Sequence, residues 1–334
     1  MINFGIIGFG LHAVKRLMPG FALAKNCRVT ALSRRDPAKA QESARQFNIP
    51  LAFDSAEKLC RSPQVDAVFI ATPNACHFQD VLVAAACRKP ILCEKPMAIN
   101  ADQCRQMVEA ARAAGVLLGI AQVFRFEDST AWFREQVTAG NIGKPVFARS
   151  EFSFPGAHGH ARTWIHDPAI SGGGPVADVG VHCVDALRFI LQDEVLRVSA
   201  GEIAGNPGEV EAGAALLLEF SRGTLATVMV SFRAEYRTPL ELVGETGVLR
   251  AENALTVDRT VHLEQLRGGA VVENLTVSNQ LAYARQVDAF AAAVEGKAEF
   301  PIPGEEGWRN QQILDAAYRS MKSGQTEEVR ALSG

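Results

Sequence analysis

Residues 2–13 read I-N-F-G-I-I-G-F-G-L-H-A. An apolar run at 4–7 passes straight into Gly8-Phe9-Gly10, and the apolar spacing of 11–24 is helical, which predicts the strand, glycine turn and helix start of a dinucleotide fold. Gly8 permits the tight turn and Gly10 lets a pyrophosphate approach the backbone. Ala13 stands where a third glycine would let the helix pack on the strand. Amides at the helix start, around Leu11 and His12, then face the phosphates. Alone, the pattern also describes an ordinary strand-to-helix turn, so the rest of the chain has to decide.

Working outward, 28–32 is a second strand, and Asp36 and Pro37 suit the N-cap and first position of a helix to about 47. Ser55 caps a short helix to about 61. A buried strand at 66–71 ends at Thr72-Pro73-Asn74, a helix covers about 77–87, and 91–93 is again strand. Asn100 and Gln103 form a capping-box pattern for a helix to 114, and 116–121 gives one more strand. This alternation predicts a doubly wound parallel sheet with helices on both faces over 1–122. Beyond it come a helix at about 130–139, a strand at 145–154, a glycine-rich loop and a helix opening near 176. Short runs over 195–277, such as 214–220, 224–233 and 239–243, are separated by S-R-G and G-E-T-G and read as an antiparallel sheet. Helices at about 282–294 and 305–321 close the chain. The expected second domain, 123–334, is α+β with a large open, mainly antiparallel sheet, its last helices packing back on the first domain.

At 334 residues two domains are the default. A hydrophobic share of 48% with 21% charge and a net charge of -3 describes a globular chain without a basic block. That argues against nucleic-acid or membrane partners and favours a small-molecule substrate. The seven cysteines contain no C-x-x-C pair and read as buried free thiols of a reducing compartment. With no leader pattern and no apolar run of about 18 residues, a cytoplasmic location is expected.

In a doubly wound sheet, ligands bind beyond the carboxyl ends of the strands. That rule nominates Gly8, Phe9, Gly10, Leu11, His12, Ser33, Arg34, Ala71, Thr72, Pro73, Asn74, Glu94, Lys95, Pro96 and Gln122 for ligand contact. In C-E-K-P, Lys95 either holds a substrate oxygen and exchanges a proton, or forms a surface salt bridge at a strand end. In Gly172-Gly173-Gly174-Pro175-Val176-Ala177-Asp178-Val179-Gly180-Val181-His182, helical spacing puts Asp178 and His182 on one face as i, i+4 neighbours. Such a pair suits a general acid/base, and a buried structural histidine on a capped helix is the other reading. Where an acid at the second strand end would bind ribose hydroxyls, this chain has Ser33 and Arg34, followed by Arg35. NADP is therefore expected in preference to NAD, with loop charges that contact nothing as the alternative.

Together, G-F-G-L-H-A, A-T-P-N-A-C-H, C-E-K-P and G-G-G-x-x-x-D-x-G-x-H resemble the glucose-fructose oxidoreductase and inositol dehydrogenase family, Gfo/Idh/MocA, over nearly the whole chain and in the right order. The resemblance implies a Rossmann domain followed by an open-sheet domain used in many members for oligomerisation, here a homodimer or homotetramer. It implies Lys95, Asp178 and His182 as the catalytic set, and adds His77 to a cofactor lining of Thr72, Asn74, Glu94, Lys95 and Pro96. It also adds Arg125 and Trp164 to a substrate wall with Lys95, Gln122, Asp178 and His182; core packing is the other reading of Trp164. Ala121-Gln122-Val123 departs from the Asn or aromatic residue common there. The implied activity is hydride transfer between a nicotinamide and a secondary alcohol or carbonyl of a sugar, inositol or related polyol. Both His182 and Lys95 are candidates for the proton donor. An NAD-dependent glycosidase and a cofactor-sensing regulator are the rival classes. His158, Gly159, His160 and His166 lack a carboxylate or thiol at a metal-binding spacing, so no metal is expected.

Overall fold

A computed structural model of the chain describes residues 1–156, 163–257 and 259–330. The chain divides into two compact units: Met1–Gln122 with Tyr283–Trp308, and Val123–Ala282 with the chain from Arg309 onward. His158, Gly159 and His160 lie outside the described residues.

The first unit carries β1 (Ile2–Ile7), β2 (Cys27–Ser33), β3 (Leu51–Phe53), β4 (Ala67–Ile70), β5 (Ile91–Glu94) and β6 (Leu118–Ala121). They lie in the order β3-β2-β1-β4-β5-β6, every pair parallel. The chain enters at the centre, winds out to β3 and returns beside β1, so the order reverses between β1 and β4, the switch point where such sheets bind ligands. A sheet covered on both faces needs strands apolar on both faces. All four residues of β4 and of β5 are accordingly buried. Phe4 of β1 meets Phe21 on one helix and Phe290 on another, at ring distances of 5.2 and 6.0 Å.

The helix starts follow their capping residues. The Asp36 carboxylate accepts the amides of Ala38 and Lys39 at 3.0 and 3.2 Å, and Ser55 accepts that of Lys58 at 3.3 Å. Asn100 accepts the Gln103 amide at 2.9 Å, but Gln103 Oε1 takes no hydrogen bond among the described residues, so only half of the capping box forms. The first helix opens as a π segment, Ala13–Leu17, before its α portion, Met18–Leu23. Pro19 explains the need for a wider turn: it has no N–H to return and its ring crowds the preceding turn.

The second unit holds β7 (Pro145–Ser153), β8 (Val195–Ile203), β9 (Gly213–Phe220), β10 (Leu225–Ser231), β11 (Leu240–Gly244), β12 (Val248–Ala251), β13 (Thr260–Arg267), β14 (Ala270–Ser278) and β15 (Glu327–Glu328). Their order is β14-β13-β12-β11-β7-β10-β9-β8-β15. Among the described residues only β7 and β10 pair in parallel; the other neighbouring strands run antiparallel. Alternation along β10 buries Ala226, Val228 and Val230 and exposes Leu225 and Met229 on the other face. The helix Val181–Leu191 packs on β7.

Two expectations need correction. The turn Val176–Gly180 is π-helical and becomes α only at Val181, so Asp178 and His182 do not share one regular α-helical face. The cysteines are all free thiols, but Cys76 is exposed and Cys87 half-buried, because both sit on the outer side of the helix Asn74–Ala86 and its end. Among the described residues no helix is long and apolar enough to cross a membrane.

Candidate active site

At the carboxyl ends of the first sheet, Gly8 adopts φ +81°, and a Cβ there would lie 2.7 Å from the Thr72 amide nitrogen. The left-handed turn and the end of β4 both demand glycine. Gly10 differs: among the described residues, a Cβ on it would meet nothing nearer than Gly8 O at 3.8 Å. Its bare face borders space instead of protein, which fits a backbone that a pyrophosphate approaches. Gln122 supplies a second sign of fit, since it is 1% exposed and its Oε1 accepts no hydrogen bond among the described residues. Phe9 contributes differently from its neighbours. Its amide donates to Ser33 O at 3.0 Å while its ring is buried against Phe47, 5.4 Å away.

His12 and Glu94 face each other, with Nε2 2.8 Å from Oε1, and the Lys95 amide donates to the other Glu94 oxygen at 3.2 Å. Burial would push the Glu94 carboxyl up, but His12, then Lys95 and His77, outweigh it and hold the group below the ordinary range. Wholly buried, His77 has Nδ1 3.0 Å from Pro96 O and Nε2 2.9 Å from Thr72 O. Burial pushes the imidazole toward its neutral form, whose single N–H donates to one of these two carbonyls, so the ring packs between the turn after β4 and the Lys95-Pro96 turn after β5. Thr72 Oγ1 donates to Asp80 at 2.7 Å, and Asn74 is buried in the first turn of its helix. Ala71 and Lys95 are half-buried. On the nucleotide side, Ser33 is buried, and Arg34 donates from Nη1 to Ser43 Oγ at 2.8 Å. The ring of Tyr283 stands edge-on to His12 at 6.1 Å.

In the second unit, His182 is 7% exposed and its ring lies 4.4 Å from that of Phe124 and 6.3 Å from that of Phe152. Tyr236 meets the edge of Phe152 at 6.4 Å, so the imidazole stands in an aromatic wall. Arg125, expected to face substrate, forms a bidentate pair with Asp185 at 2.7 and 2.8 Å, nearly excluded from solvent. Asn310 donates to the same carboxylate at 2.7 Å and accepts from Arg188 at 2.7 Å. The geometry ties the turn Val123–Phe126 to the helix that carries His182. Trp164 is half-buried in the 3-10 turn Thr163–His166, and Asp178 is half-buried in the π turn.

Sequence reading missed the aromatic wall, although F-R-F at 124–126 and F-S-F at 152–154 were visible as alternating aromatics. It named His12 and Glu94 separately and had no signal for their pairing across 82 residues.

Residues 2–122 match the family described as "Oxidoreductase family, NAD-binding Rossmann fold", and residues 130–250 match the GFO/IDH/MocA C-terminal domain. The chain is 32% identical over 329 residues to D-xylose 1-dehydrogenase (NADP(+)) 2 of Haloferax volcanii, with 98% of this chain and 99% of that one covered. It is 30% identical over 333 residues to 1,5-anhydro-D-fructose reductase of Ensifer adhaerens, again covering 98% and 99%. The solved aldose-aldose oxidoreductase of Caulobacter crescentus has the same fold, with a TM-score of 0.89 at 24% identity over 98% of this chain and 99% of that one. Both domains match one family and relatives span nearly the full length, so the chain belongs to the glucose-fructose oxidoreductase, inositol dehydrogenase and MocA family and is an NAD(P)-dependent oxidoreductase.

Proposed function

We propose that the enzyme interconverts a secondary alcohol and a carbonyl on a sugar, inositol or related polyol, and that it prefers NADP. The observation that carries the reading is the Lys95 turn: the Lys95 amide is held by Glu94, and buried His77 lies 3.0 Å from the next carbonyl, of Pro96, as a side chain with a positional task requires. A bound nicotinamide supplies or accepts the hydride. His182, oriented by Asp178, moves the proton of the substrate hydroxyl. The Lys95 ammonium donates to the same oxygen and stabilises charge developing there. Gly8, Gly10, Leu11, His12, Thr72, Asn74, Glu94 and Pro96 are assigned to the cofactor, Gln122 to both cofactor and substrate, and Trp164 to the substrate wall. Arg125 is assigned to holding the His182 helix. The sugar-reducing and sugar-oxidising names of the relatives support this substrate class.

The cofactor preference rests on what surrounds the end of β2. Asp36, the nearest acid, caps its helix through Ala38 and Lys39, so the side chains at the end of β2 toward a ribose substituent are buried Ser33 and Arg34, whose Nη1 donates to Ser43 Oγ. A guanidinium–phosphate contact is worth about 1.5 to 3 kcal/mol. Arg34→Ala should therefore lower the NADP:NAD ratio of kcat/KM roughly 10- to 100-fold. A wild-type preference for NAD, or an unchanged ratio in the variant, defeats the assignment. The same absorbance assay, run over D-xylose, 1,5-anhydro-D-fructose and myo-inositol with each cofactor, tests the substrate class; turnover of none of them counts against it. Sugar release from a glycoside with no net change in absorbance would instead identify a glycosidase.

A homodimer or homotetramer through the second sheet belongs to the same proposal. Phe147, Leu217, Leu225 and Met229 are exposed on neighbouring strands, where β10 pairs with β7 on one side and β9 on the other. Apolar side chains grouped on an open sheet face call for a cover. Light scattering at micromolar protein should give a multiple of the 36.0 kDa chain mass, and a monomer would rule this surface out.

A further inference from the structure

The glycine run ahead of the Asp178 turn answers to the protein's own packing. A Cβ on Gly173 would come within 1.8 Å of Tyr318 Oη, and one on Gly174 within 2.1 Å of the Glu211 carbonyl oxygen. Both glycines are thus required by two residues from distant parts of the same unit. Glu211 stands just before β9 and is 7% exposed. Its Oε2 accepts the Gly174 amide at 2.9 Å, and its Oε1 accepts the Val176 amide at 3.1 Å and the Tyr318 hydroxyl at 3.0 Å. Pro175, between the two amides, has no N–H and gives the helix no side-chain cap. One carboxylate therefore takes both amides available across the helix start, where donors are otherwise orphaned and negative charge is favoured. Burial pushes the Glu211 carboxyl up, and the three donors oppose it.

From this carboxylate to Asp178 the path is short. Gly174 O accepts the Asp178 amide at 2.9 Å, so one residue is held through its N–H by Glu211 and through its C=O by Asp178. Val176 repeats the arrangement: its N–H is on Glu211, and its carbonyl accepts the Val181 amide, the wide bond that closes the π turn ahead of His182. Such a turn departs from α geometry and is kept where its surroundings hold it.

We infer that Glu211, backed by Tyr318, is a positioning residue that sets the π turn and thereby the placement of Asp178 and His182, without touching substrate. The assignment rests on the proton-transfer reading of those two residues.

Glu211→Gln preserves volume but turns an amide N–H2 toward a peptide donor. With the best substrate of the panel above, kcat should fall roughly 10- to 100-fold, the scale of a misplacement of about 1 Å. KM for the cofactor, and NADPH affinity by fluorescence titration, should stay at wild-type values. Tyr318→Phe removes one of the three donors and should lower kcat less, in the same direction; it carries the test if Glu211→Gln does not fold. In an Asp178→Asn background, adding Glu211→Gln should have little further effect, because both changes act on one unit. Wild-type kcat in either folded single variant, or losses that multiply in the double variant, overturn the inference. His182→Ala is measured alongside. Full activity there removes the proton-transfer reading itself, whereas a dead His182→Ala beside an unaffected Glu211→Gln removes only the role given to Glu211.

Discussion

His182→Ala is expected to lower kcat by about 100- to 10,000-fold, the usual contribution of a positioned general acid or base, while NADPH affinity stays near the wild-type value. The split follows from location. His182 belongs to the second unit, whereas the glycine turn and the strand ends assigned to the cofactor belong to the first. Its environment also fits a proton-transfer group. Phe124 and Phe152 lie against the ring, and the helix beneath is fixed by the buried Arg125–Asp185 pair and by Glu211 at its start. A structural histidine in the same aromatic wall predicts a different result: loss of packing would lower the melting temperature and leave turnover per folded molecule intact. Steady-state kinetics, thermal unfolding and fluorescence titration on one preparation separate the two. Retained turnover would sink the assignment whatever happens to stability.

What could be read in advance was what the chain states locally. Each strand and its glycine or capping residue are neighbours in sequence, so 2–13, Asp36-Pro37 and Asn100 announced the first sheet and its helix starts. β3 escaped because three half-buried residues, Leu51–Phe53, carry too short an alternation to register. The π turn Val176–Gly180 escaped because nothing in V-A-D-V-G distinguishes a turn closed over five residues from one closed over four; its Val176 amide is held by Glu211, 35 residues away. Pairings such as His12 with Glu94 and Arg125 with Asp185 span 82 and 60 residues. Such partners meet only after the sheet is wound. The motif residues were thus visible while the groups that orient them were not, and Arg125 shows the consequence: a charge that looks offered to a ligand can be committed to a buried carboxylate.

The second large effect is expected at Lys95. Lys95→Ala should reduce kcat about 100- to 1,000-fold, the range for deleting a donor that stabilises a developing oxyanion, and should weaken the cofactor to a lesser degree. The rival account is a salt bridge at a strand end, worth at most about 1 kcal/mol and visible only as a small change in stability. Glu94, the adjacent acid, already has one oxygen facing His12 and the other accepting the Lys95 amide, and Pro96 O lies 3.0 Å from Nδ1 of buried His77. The Lys95 backbone amide is therefore fixed by Glu94. Lys95→Arg makes the distinction sharp. A guanidinium keeps the charge and would restore a salt bridge, but it is planar, bulkier and never deprotonated, so it neither places one donor on a substrate oxygen nor exchanges a proton there. Turnover should stay low in Lys95→Arg although its melting temperature matches the wild type. If arginine restores kcat, or if alanine changes only the melting temperature, Lys95 is a structural charge and the proton and oxyanion chemistry must be sought at His182 alone.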